Sequence, residues 1–271
     1  MSRVYFTHCE FHLGDNLFHL HFLRALARRH PHDQFVHYAH ACHLPQLAEM
    51  IGDLPGITLM PLPASGARPD SVDAWKNAGG FFERHHDRND YYGFYVDWFA
   101  ELAARMGLEP VFESREELLF DYPALKNVTP LDRVLPAFDI LFVNSQPCSG
   151  QWMPMAYAPN DDGTFLDAIT NDLAARHSLV VTQRCAASKA GVARCTLGYG
   201  MSVTDIGALS RRCKLIIMIG TGPAWPTMNV WNKGKKRILL FHPERVEGFG
   251  DWPHVQSREE LRAVLEVEGL L

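Results

Sequence analysis

The sequence of 271 residues predicts an α/β protein with two consecutive lobes, each containing a parallel sheet with helices on both faces. Three observations lead to this fold class. Short apolar runs alternate with stretches in which apolar residues recur at helical spacing. The alternation is interrupted by a polar, proline-containing segment at residues 113–138, which is typical of a connector between lobes. It then starts again, so we place the first lobe at residues 1–130, the second at residues 131–271, and a cleft between them.

The first lobe begins as an alternation of strands and helices. Three apolar runs are predicted strands, namely VYFTHC, QFVHYAHA and ITLMPL. The stretch DNLFHLHFLRALARRHP carries apolar residues at helical spacing and closes on Arg28, Arg29 and Pro31, so it is a predicted helix that starts at Asp15. A shorter helix is predicted at LPQLAEMIG. Between Pro63 and Asp90 the rhythm breaks, and two interpretations stay open: an acceptor-binding loop or an insertion without a role.

Residues 91–106 form the last predicted helix of the first lobe. An aromatic and apolar stripe recurs there in steps of three and four residues, at Tyr91, Tyr95, Trp98, Leu102 and Met106. Such a stripe is either a helix face packed into the core or a surface on which sugars stack. The core interpretation is the favoured one.

The second lobe repeats the pattern. Its predicted strands are DILFVNSQ, SLVVTQR, KLIIMIGTG and RILLFHP. Its predicted helices are DGTFLDAITNDLAARH, SVTDIGALSRR, PAWPTMNVWN and SREELRAVLEVEG. The second of these helices begins with a Ser202 and Asp205 capping pattern and the last with Ser257 and Glu260.

Composition excludes several function classes. Hydrophobic residues make up 47% of the chain and charged residues 21%, as in ordinary globular proteins, and the net charge is only −5. Without a basic run, the sequence argues against a nucleic-acid-binding protein. The six cysteines form no C-x-x-C pair, which is typical of a reduced protein with free thiols. No apolar stretch approaches the about 20 residues that cross a bilayer, and no signal peptide is recognisable, so we expect a cytoplasmic protein.

Histidine is concentrated near the N-terminus, where nine of the fourteen lie between His8 and His43. Their spacing does not suit a metal. His19 and His21 are two residues apart on a predicted helix and point in different directions, and the H-E-x-x-H motif does not occur. We therefore predict no metal site and expect these histidines to be half-buried polar residues.

Ligands of doubly wound sheets collect at the carboxyl ends of the strands, so the residues that follow the predicted strands are the site candidates. In the first lobe these are His8, His12, Gly14 and Asp15. In the second lobe they are Asn144, Ser145, Gln146, Gln183, Arg184, Gly220, Thr221, Gly222, His242, Pro243 and Glu244.

The segment IMIGTGPAWPTMN is the most informative of these strand ends. Gly220 and Gly222 let a ligand approach the backbone, and Pro223 suits the first turn of a helix whose free N–H groups would bind an anion. A tight turn that needs glycine only for its geometry is the alternative. The G-x-G-x-x-G fingerprint, the P-loop and the G-x-S-x-G elbow do not occur, which argues against dinucleotide enzymes, P-loop kinases and α/β-hydrolases.

The stretch HLGDNLFHLHFLRALARRHP resembles the opening of heptosyltransferase-like glycosyltransferases of family 9, which have the GT-B fold. VNSQPCSGQWMP resembles the loop of that family with a Trp-Pro element, here loosened to Trp152-Met153-Pro154. SVTDIGALSRRCKLIIMIGTGPAW resembles its short helix, strand and turn. The family usually has Asp-Ser/Thr-Gly-Pro-x-His in that turn, and this chain lacks both the Asp and the His.

The resemblance implies a glycosyltransferase that uses a nucleotide-diphosphate sugar and no metal or other cofactor. The donor would be held in the second lobe by Gly220, Thr221, Gly222 and Pro223, with Ser145, Gln146, Arg184 and Lys189 as further contacts. The acceptor would be a glycan, a lipid-linked compound or another hydroxyl compound, with peripheral membrane association among the implied possibilities and polysaccharide biosynthesis as the implied setting. Asp15 corresponds to the general base of the family, and His12 is the alternative base.

Other interpretations stay open. Asp15 could serve only as the N-cap of the first helix, where aspartate contributes about 1 kcal/mol. A sugar-nucleotide epimerase of similar fold would convert the donor without an acceptor. A non-catalytic nucleotide-sugar-binding protein would fit the departures from the family turn.

Overall fold

The computed structural model describes residues 2–63, 70–76, 78, 91–135, 137–145, 164–240, 254–255 and 257–271. The chain forms two compact units, Met1–Ala124 and Leu125–Leu271. Gln146, Trp152, Met153, Pro154, His242, Pro243 and Glu244, all named above, lie outside the described residues.

The first unit contains a four-stranded parallel sheet in the order β3-β2-β1-β4. Its strands are β1 (Val4–Cys9), β2 (Gln34–Ala39), β3 (Ile57–Pro61) and β4 (Val72–Asp73). The helices are α1 (Leu13–Arg29), α2 (Leu44–Ile51) and α3 (Tyr91–Arg105). The predicted elements of this lobe are confirmed. The two-residue strand β4, which pairs with β1, was not predicted because it is too short to show a period.

Helix α1 is the centre of the first unit, and twelve of its 17 residues are buried. Phe18 stacks on Tyr95 of α3 with ring centroids 4.3 Å apart, and Phe22 stacks on Phe99 at 5.0 Å. Trp98 of α3 is also fully buried. The core interpretation of the α3 stripe is thus confirmed for its described side chains, and a sugar-stacking surface at these residues is excluded because no ligand can reach them.

The second unit contains a six-stranded parallel sheet in the order β10-β9-β8-β5-β6-β7. Its strands are β5 (Phe138–Val143), β6 (Leu179–Val181), β7 (Arg194–Cys195), β8 (Cys213–Ile219), β9 (Lys236–Leu240) and β10 (His254–Val255). Its helices are α4 (Thr164–Arg176), α5 (Ala186–Lys189), α6 (Val203–Ser210) and α7 (Arg258–Val267). Both predicted caps are present: Ser202 Oγ accepts from the Asp205 N–H and Ser257 Oγ from the Glu260 N–H.

Six short 3₁₀ helices complete the described chain: Arg115–Leu118, Pro123–Lys126, Pro130–Arg133, Thr196–Tyr199, Gly222–Thr227 and Val230–Asn232. The α-helix predicted directly after β8 is wrong. The chain there forms only the tighter 3₁₀ turns, because Pro223 and Pro226 supply no N–H groups for an α-helical ladder. Among the described residues, no helix combines the length and apolar character needed to cross a membrane.

Candidate functional site

The candidate base lies where β1 gives way to α1. Helix α1 begins at Leu13, so His12 is its N-cap residue and Asp15 is its third residue. The Asp15 Oδ2 atom accepts a 3.1 Å hydrogen bond from the His12 backbone N–H. The expectation that Asp15 is the N-cap is therefore wrong. Leu13 and Gly14 are already helical, and the Asp15 carboxylate reaches back to satisfy the N–H of the capping residue, as in a capping box.

The surroundings of Asp15 favour a basic carboxylate. Burial raises the pKa of the Asp15 carboxyl above its ordinary value, and this effect outweighs the hydrogen bond from the His12 N–H and the His12 imidazole, which act in the opposite direction. Among the described residues, no side chain donates a hydrogen bond to this carboxylate. A carboxylate of raised pKa that keeps an oxygen available is a stronger base than an ordinary aspartate. The exposed His12 lies beside it.

Asn16 holds the loop between β1 and α1, although the sequence analysis did not single it out. Its Nδ2 donates to the carbonyls of Phe11 at 3.3 Å and His12 at 2.9 Å. Its Oδ1 lies 3.0 Å from Nε2 of His37, and Nδ1 of His37 lies 3.0 Å from Thr7 Oγ1. The side chains of Thr7, Asn16 and His37 are all buried. The available signal was polar residues at positions that helix and strand periodicity assign to the core.

Three histidines of this unit are more deeply buried than expected. His19, His21 and His37 are all inaccessible to solvent or nearly so. Burial lowers the pKa of His21 to about 4 and that of His37 to about 3, so both rings are neutral at physiological pH. Within the described part of the chain, no group of three His, Cys, Asp or Glu side chains could hold a metal ion.

His8 lies at the carboxyl end of β1, directly opposite Asp73 of β4. Its Nδ1 lies 2.9 Å from Ser71 Oγ, and its Nε2 lies 3.5 Å from Asp73 Oδ2. The sheet order places β2 on one side of β1 and β4 on the other. This is the type of switch point at which doubly wound sheets bind ligands, and α1 with Asp15 starts from the same strand end.

In the second unit, Asn144 ties the carboxyl ends of β5 and β6 together. Its Oδ1 accepts from the backbone N–H groups of Thr182 at 3.0 Å and Gln183 at 2.8 Å, and its Nδ2 donates to the Gln183 carbonyl at 3.1 Å. Ser145 Oγ lies 2.9 Å from Thr182 Oγ1. Ser145 is therefore held at the sheet edge where the β6–α5 loop begins.

A cavity of about 510 Å³ lies beyond β6. It brings the predicted contacts Arg184 and Lys189 together and adds a third cation, Arg194, that the sequence analysis missed. None of its lining residues is acidic. The remaining lining residues are Ser188, Gly191, Ala193, Cys195, Gly198 and Tyr199. Arg194 lies on β7, a strand of two residues with no sequence signal. The arrangement can bind an anion, because three positive side chains converge without a competing carboxylate.

The turn at residues 220–223 differs from the anion site that we predicted. The N–H and the hydroxyl of Thr221 both donate to the Ile219 carbonyl, at 2.7 and 3.3 Å. The Thr221 carbonyl accepts from the Ala224 N–H at 2.8 Å. No α-helix follows, so the turn lacks the helix dipole on which the prediction relied. None of these four residues lines the cavity.

Comparison with solved structures shows the fold. The chain is similar to the E. coli heptosyltransferase WaaC bound to ADP-2-deoxy-2-fluoro heptose, with a TM-score of 0.59, 13% identity and coverage of 98% of this chain and 100% of the other. For WaaC with ADP, the TM-score is 0.57 at 12% identity, and the match covers 99% of this chain and 98% of the other. For a family 9 glycosyl transferase from Veillonella parvula, the TM-score is 0.51 at 13% identity, and the match covers 100% of this chain and 92% of the other.

No protein-family model and no curated protein sequence matches the chain. At 12 to 13% identity, the likeness to solved structures establishes architecture and leaves substrates to be argued from the residues. The chain has the GT-B fold of these glycosyltransferases, with two Rossmann-like lobes.

Proposed function

We propose that the protein is a glycosyltransferase that moves a sugar from a nucleoside diphosphate sugar to an acceptor hydroxyl, with inversion and without a metal ion. The observation that carries the proposal is the cavity lined by Arg184, Lys189 and Arg194 at the carboxyl end of β6. Its cations suit a diphosphate, and the GT-B fold suits such a donor.

The cavity offers distinct features for the two ends of the donor. The guanidinium groups of Arg184 and Arg194 can bind phosphate oxygens in bidentate fashion, and Lys189 supplies a mobile point charge. Tyr199 lines the same cavity. Its aromatic ring suits contact with a flat, partly apolar group such as a nucleotide base.

The proposed reaction is a single displacement. Asp15 takes the proton of the acceptor hydroxyl, whose oxygen forms a bond to the anomeric carbon while the bond from that carbon to the diphosphate oxygen breaks. The nucleoside diphosphate leaves with the electron pair. Positive charge in the cavity stabilises the leaving diphosphate, and in this proposal it replaces the divalent ion that other transferases use. His12 is the alternative base.

The turn at residues 220–223 has a smaller part in this proposal than the resemblance implies. Its only hydroxyl, that of Thr221, donates within the turn, and no α-helix follows to supply a dipole. We therefore assign to it at most a backbone contact with the donor, and we assign the diphosphate to the three cations.

Binding of ADP, UDP and GDP to the full chain by calorimetry tests the donor site. We compare Lys189→Met with Lys233→Met, an exposed lysine of the same unit that does not line the cavity. A hydrogen bond to a charged group contributes about 1.5–3 kcal/mol, so Lys189→Met weakens binding about 10- to 150-fold. Lys233→Met binds like the wild type.

Thiol alkylation gives an independent measure of where the nucleotide binds. Cys195 lines the cavity, whereas Cys42 is exposed in the first unit. The proposal expects a bound nucleoside diphosphate to protect Cys195 from iodoacetamide and to leave the rate at Cys42 unchanged. If no diphosphate binds, or if the two lysine variants bind equally, the cavity is not the donor site.

A further inference from the structure

We infer that Asn16 positions the Asp15 carboxylate, and that His37 and Thr7 hold Asn16 in the orientation this requires. The inference rests on the proposed role of Asp15 as the base. Asn16 is a positioning residue here, because its side chain is fully buried and cannot touch a substrate.

The peptide unit of His12 is held at both ends. Its N–H donates to Asp15 Oδ2 at 3.1 Å, and its carbonyl accepts from Asn16 Nδ2 at 2.9 Å. Asn16 Nδ2 also donates to the Phe11 carbonyl at 3.3 Å. The group that fixes one oxygen of Asp15 is therefore itself fixed by Asn16.

The hydrogen bonds that hold the Asn16 side chain run in one direction, from Thr7 through His37 to Asn16. Because Nδ2 of Asn16 donates to two carbonyls, its Oδ1 must accept, and Nε2 of His37 must be the donor at 3.0 Å. In a neutral ring Nδ1 then accepts, so the Thr7 hydroxyl donates to it at 3.0 Å. The lowered pKa of His37 keeps the ring neutral at physiological pH, and the hydrogen bonds to Asn16 and Thr7 fix the tautomer with the proton on Nε2.

Asp15 and Asn16 are neighbours in the chain with different surroundings. Successive positions on a helix point in different directions, so Asn16 faces the buried sheet while Asp15 stays half-buried at the start of α1. A leucine at position 16 would fill the same space without a donor. The Phe11 carbonyl would then lose the Asn16 side-chain donor, and the His12 carbonyl would keep only the backbone N–H of residue 16, which lies 3.2 Å away. The loop that holds Asp15 would then be less firmly held.

The test compares three variants with His21→Leu as the matched control. His21 is another buried polar residue of α1, and its Nε2 bonds the Glu117 carbonyl at 2.7 Å without contact to the Asp15 loop. Asn16→Leu removes the anchor and His37→Phe removes the support behind it. Thr7→Val removes only the last hydroxyl and is the variant expected to disturb folding least.

Two readouts separate positioning from a general loss of stability. One is kcat and its pH profile. The other is the pKa of the Asp15 carboxyl, followed by NMR in aspartate-labelled protein without any substrate. The titratable groups in electrostatic contact with Asp15 are the His12 imidazole and the Cys9 thiol, and the buried thiol stays neutral. Neither is altered by the variants.

We expect Asn16→Leu and His37→Phe to lower kcat about 100-fold, the usual effect of misplacing a reacting group by about 1 Å, with an unchanged donor KM. The pKa of Asp15 falls towards its ordinary value as the carboxylate moves into water. Thr7→Val lowers kcat and the pKa of Asp15 as well, but by less than the other two variants. His21→Leu changes neither, measured well below its melting temperature.

The outcomes distinguish this inference from the proposed function. A wild-type protein without transferase activity refutes the proposed function, and the NMR titration still decides whether Asn16 controls Asp15. If Asn16→Leu or, where that variant does not fold, Thr7→Val leaves both the Asp15 pKa and kcat at the values of His21→Leu, the inference is wrong.

Discussion

Replacing Asp15 by asparagine separates the two roles that this residue could have. An amide oxygen can still accept the His12 N–H, now 3.1 Å from Asp15 Oδ2, so the capping contact survives. The amide cannot take a proton from a hydroxyl. Removing a general base reduces the rate by about 100- to 10,000-fold, which corresponds to about 3–5 kcal/mol of activation free energy. Asp15→Asn should therefore lose turnover and keep donor affinity.

The second unit offers a matched control for the capping role. Asp205 stands at the corresponding third position of α6, where its Oδ2 accepts from the Ser202 N–H at 3.0 Å. Asp205→Asn makes the same chemical change in the same local structure. We expect it to leave the rate unchanged and to lower stability by less than about 1 kcal/mol, as capping contacts do.

The sign of the pH dependence follows from the raised pKa of Asp15. A carboxyl whose pKa is raised by folding binds its proton more tightly in the folded state, so its contribution to stability falls as the pH rises through that pKa. Asparagine avoids this loss, and Asp15→Asn should be no less stable than Asp205→Asn at neutral pH. In the wild type, kcat rises with pH through the same pKa, because only the ionised carboxylate is a base.

Turnover assays and thermal melts of Asp15→Asn and Asp205→Asn check this prediction. If Asp15→Asn keeps more than about a tenth of the wild-type kcat, the carboxylate is not the base, since the smallest effect expected of a base is about 100-fold. If both variants lose activity equally, the loss comes from capping. If His12 variants keep their activity and Asp15 variants do not, Asp15 remains assigned as the base.

Two further predictions concern the packing that supports the two units. Gly207→Ala should lower the free energy of unfolding by about 1–3 kcal/mol, measured by urea denaturation. The added Cβ would lie 2.6 Å from Pro226 Cβ and 2.9 Å from the Pro226 carbonyl oxygen. This crowding outweighs the better helix propensity of alanine. Arg24 donates hydrogen bonds to both oxygens of Asp53, at 2.6 and 2.7 Å, and to Asp121 at 3.3 Å. Arg24→Leu should lower the free energy of unfolding by about 2 kcal/mol at pH 7. The loss is smaller than for a fully buried ion pair because both carboxylates are partly exposed. The hydrogen bond from Arg24 lowers the pKa of Asp53, so the stabilisation is lost as the pH falls through that lowered pKa, and the difference between Arg24→Leu and the wild type should shrink in denaturation at pH 3.

Sequence reasoning succeeded where a period or a cap was long enough to leave a signal. Helix α1 has 17 residues and the strands β1, β5 and β8 have six or seven, which is long enough to show a pattern. Ser202 and Ser257 mark helix starts by a local rule. Strands β4, β7 and β10 have two residues each, and tertiary pairing alone defines them. No sequence period exists at that length.

The residues of the candidate site also divide into those with a sequence signal and those without one. Asp15 and Arg184 could be named because they follow predicted strands, and Lys189 because the family resemblance implied it. Arg194 could not, since only the folding of a two-residue strand brings it to the cavity. Asn16 and His37 were missed for another reason: their positions fit a core period, and the hydrogen bonds that make them polar core residues join segments 21 residues apart. The turn after β8 was misread because its glycines suggested a helix start while its two prolines prevented one.

The measurement that tests the central claim most directly follows the donor itself. The full chain is incubated with ADP-, UDP-, GDP- and CMP-linked sugars, alone and with an array of glycan acceptors, and the donor and product are observed by proton NMR. The account predicts that one nucleoside diphosphate sugar is consumed, that its nucleoside diphosphate accumulates, and that the new linkage has the opposite anomeric configuration. Conversion of a donor into an isomeric sugar nucleotide, with no diphosphate released, would show an epimerase, and consumption of no donor would contradict a transferase altogether.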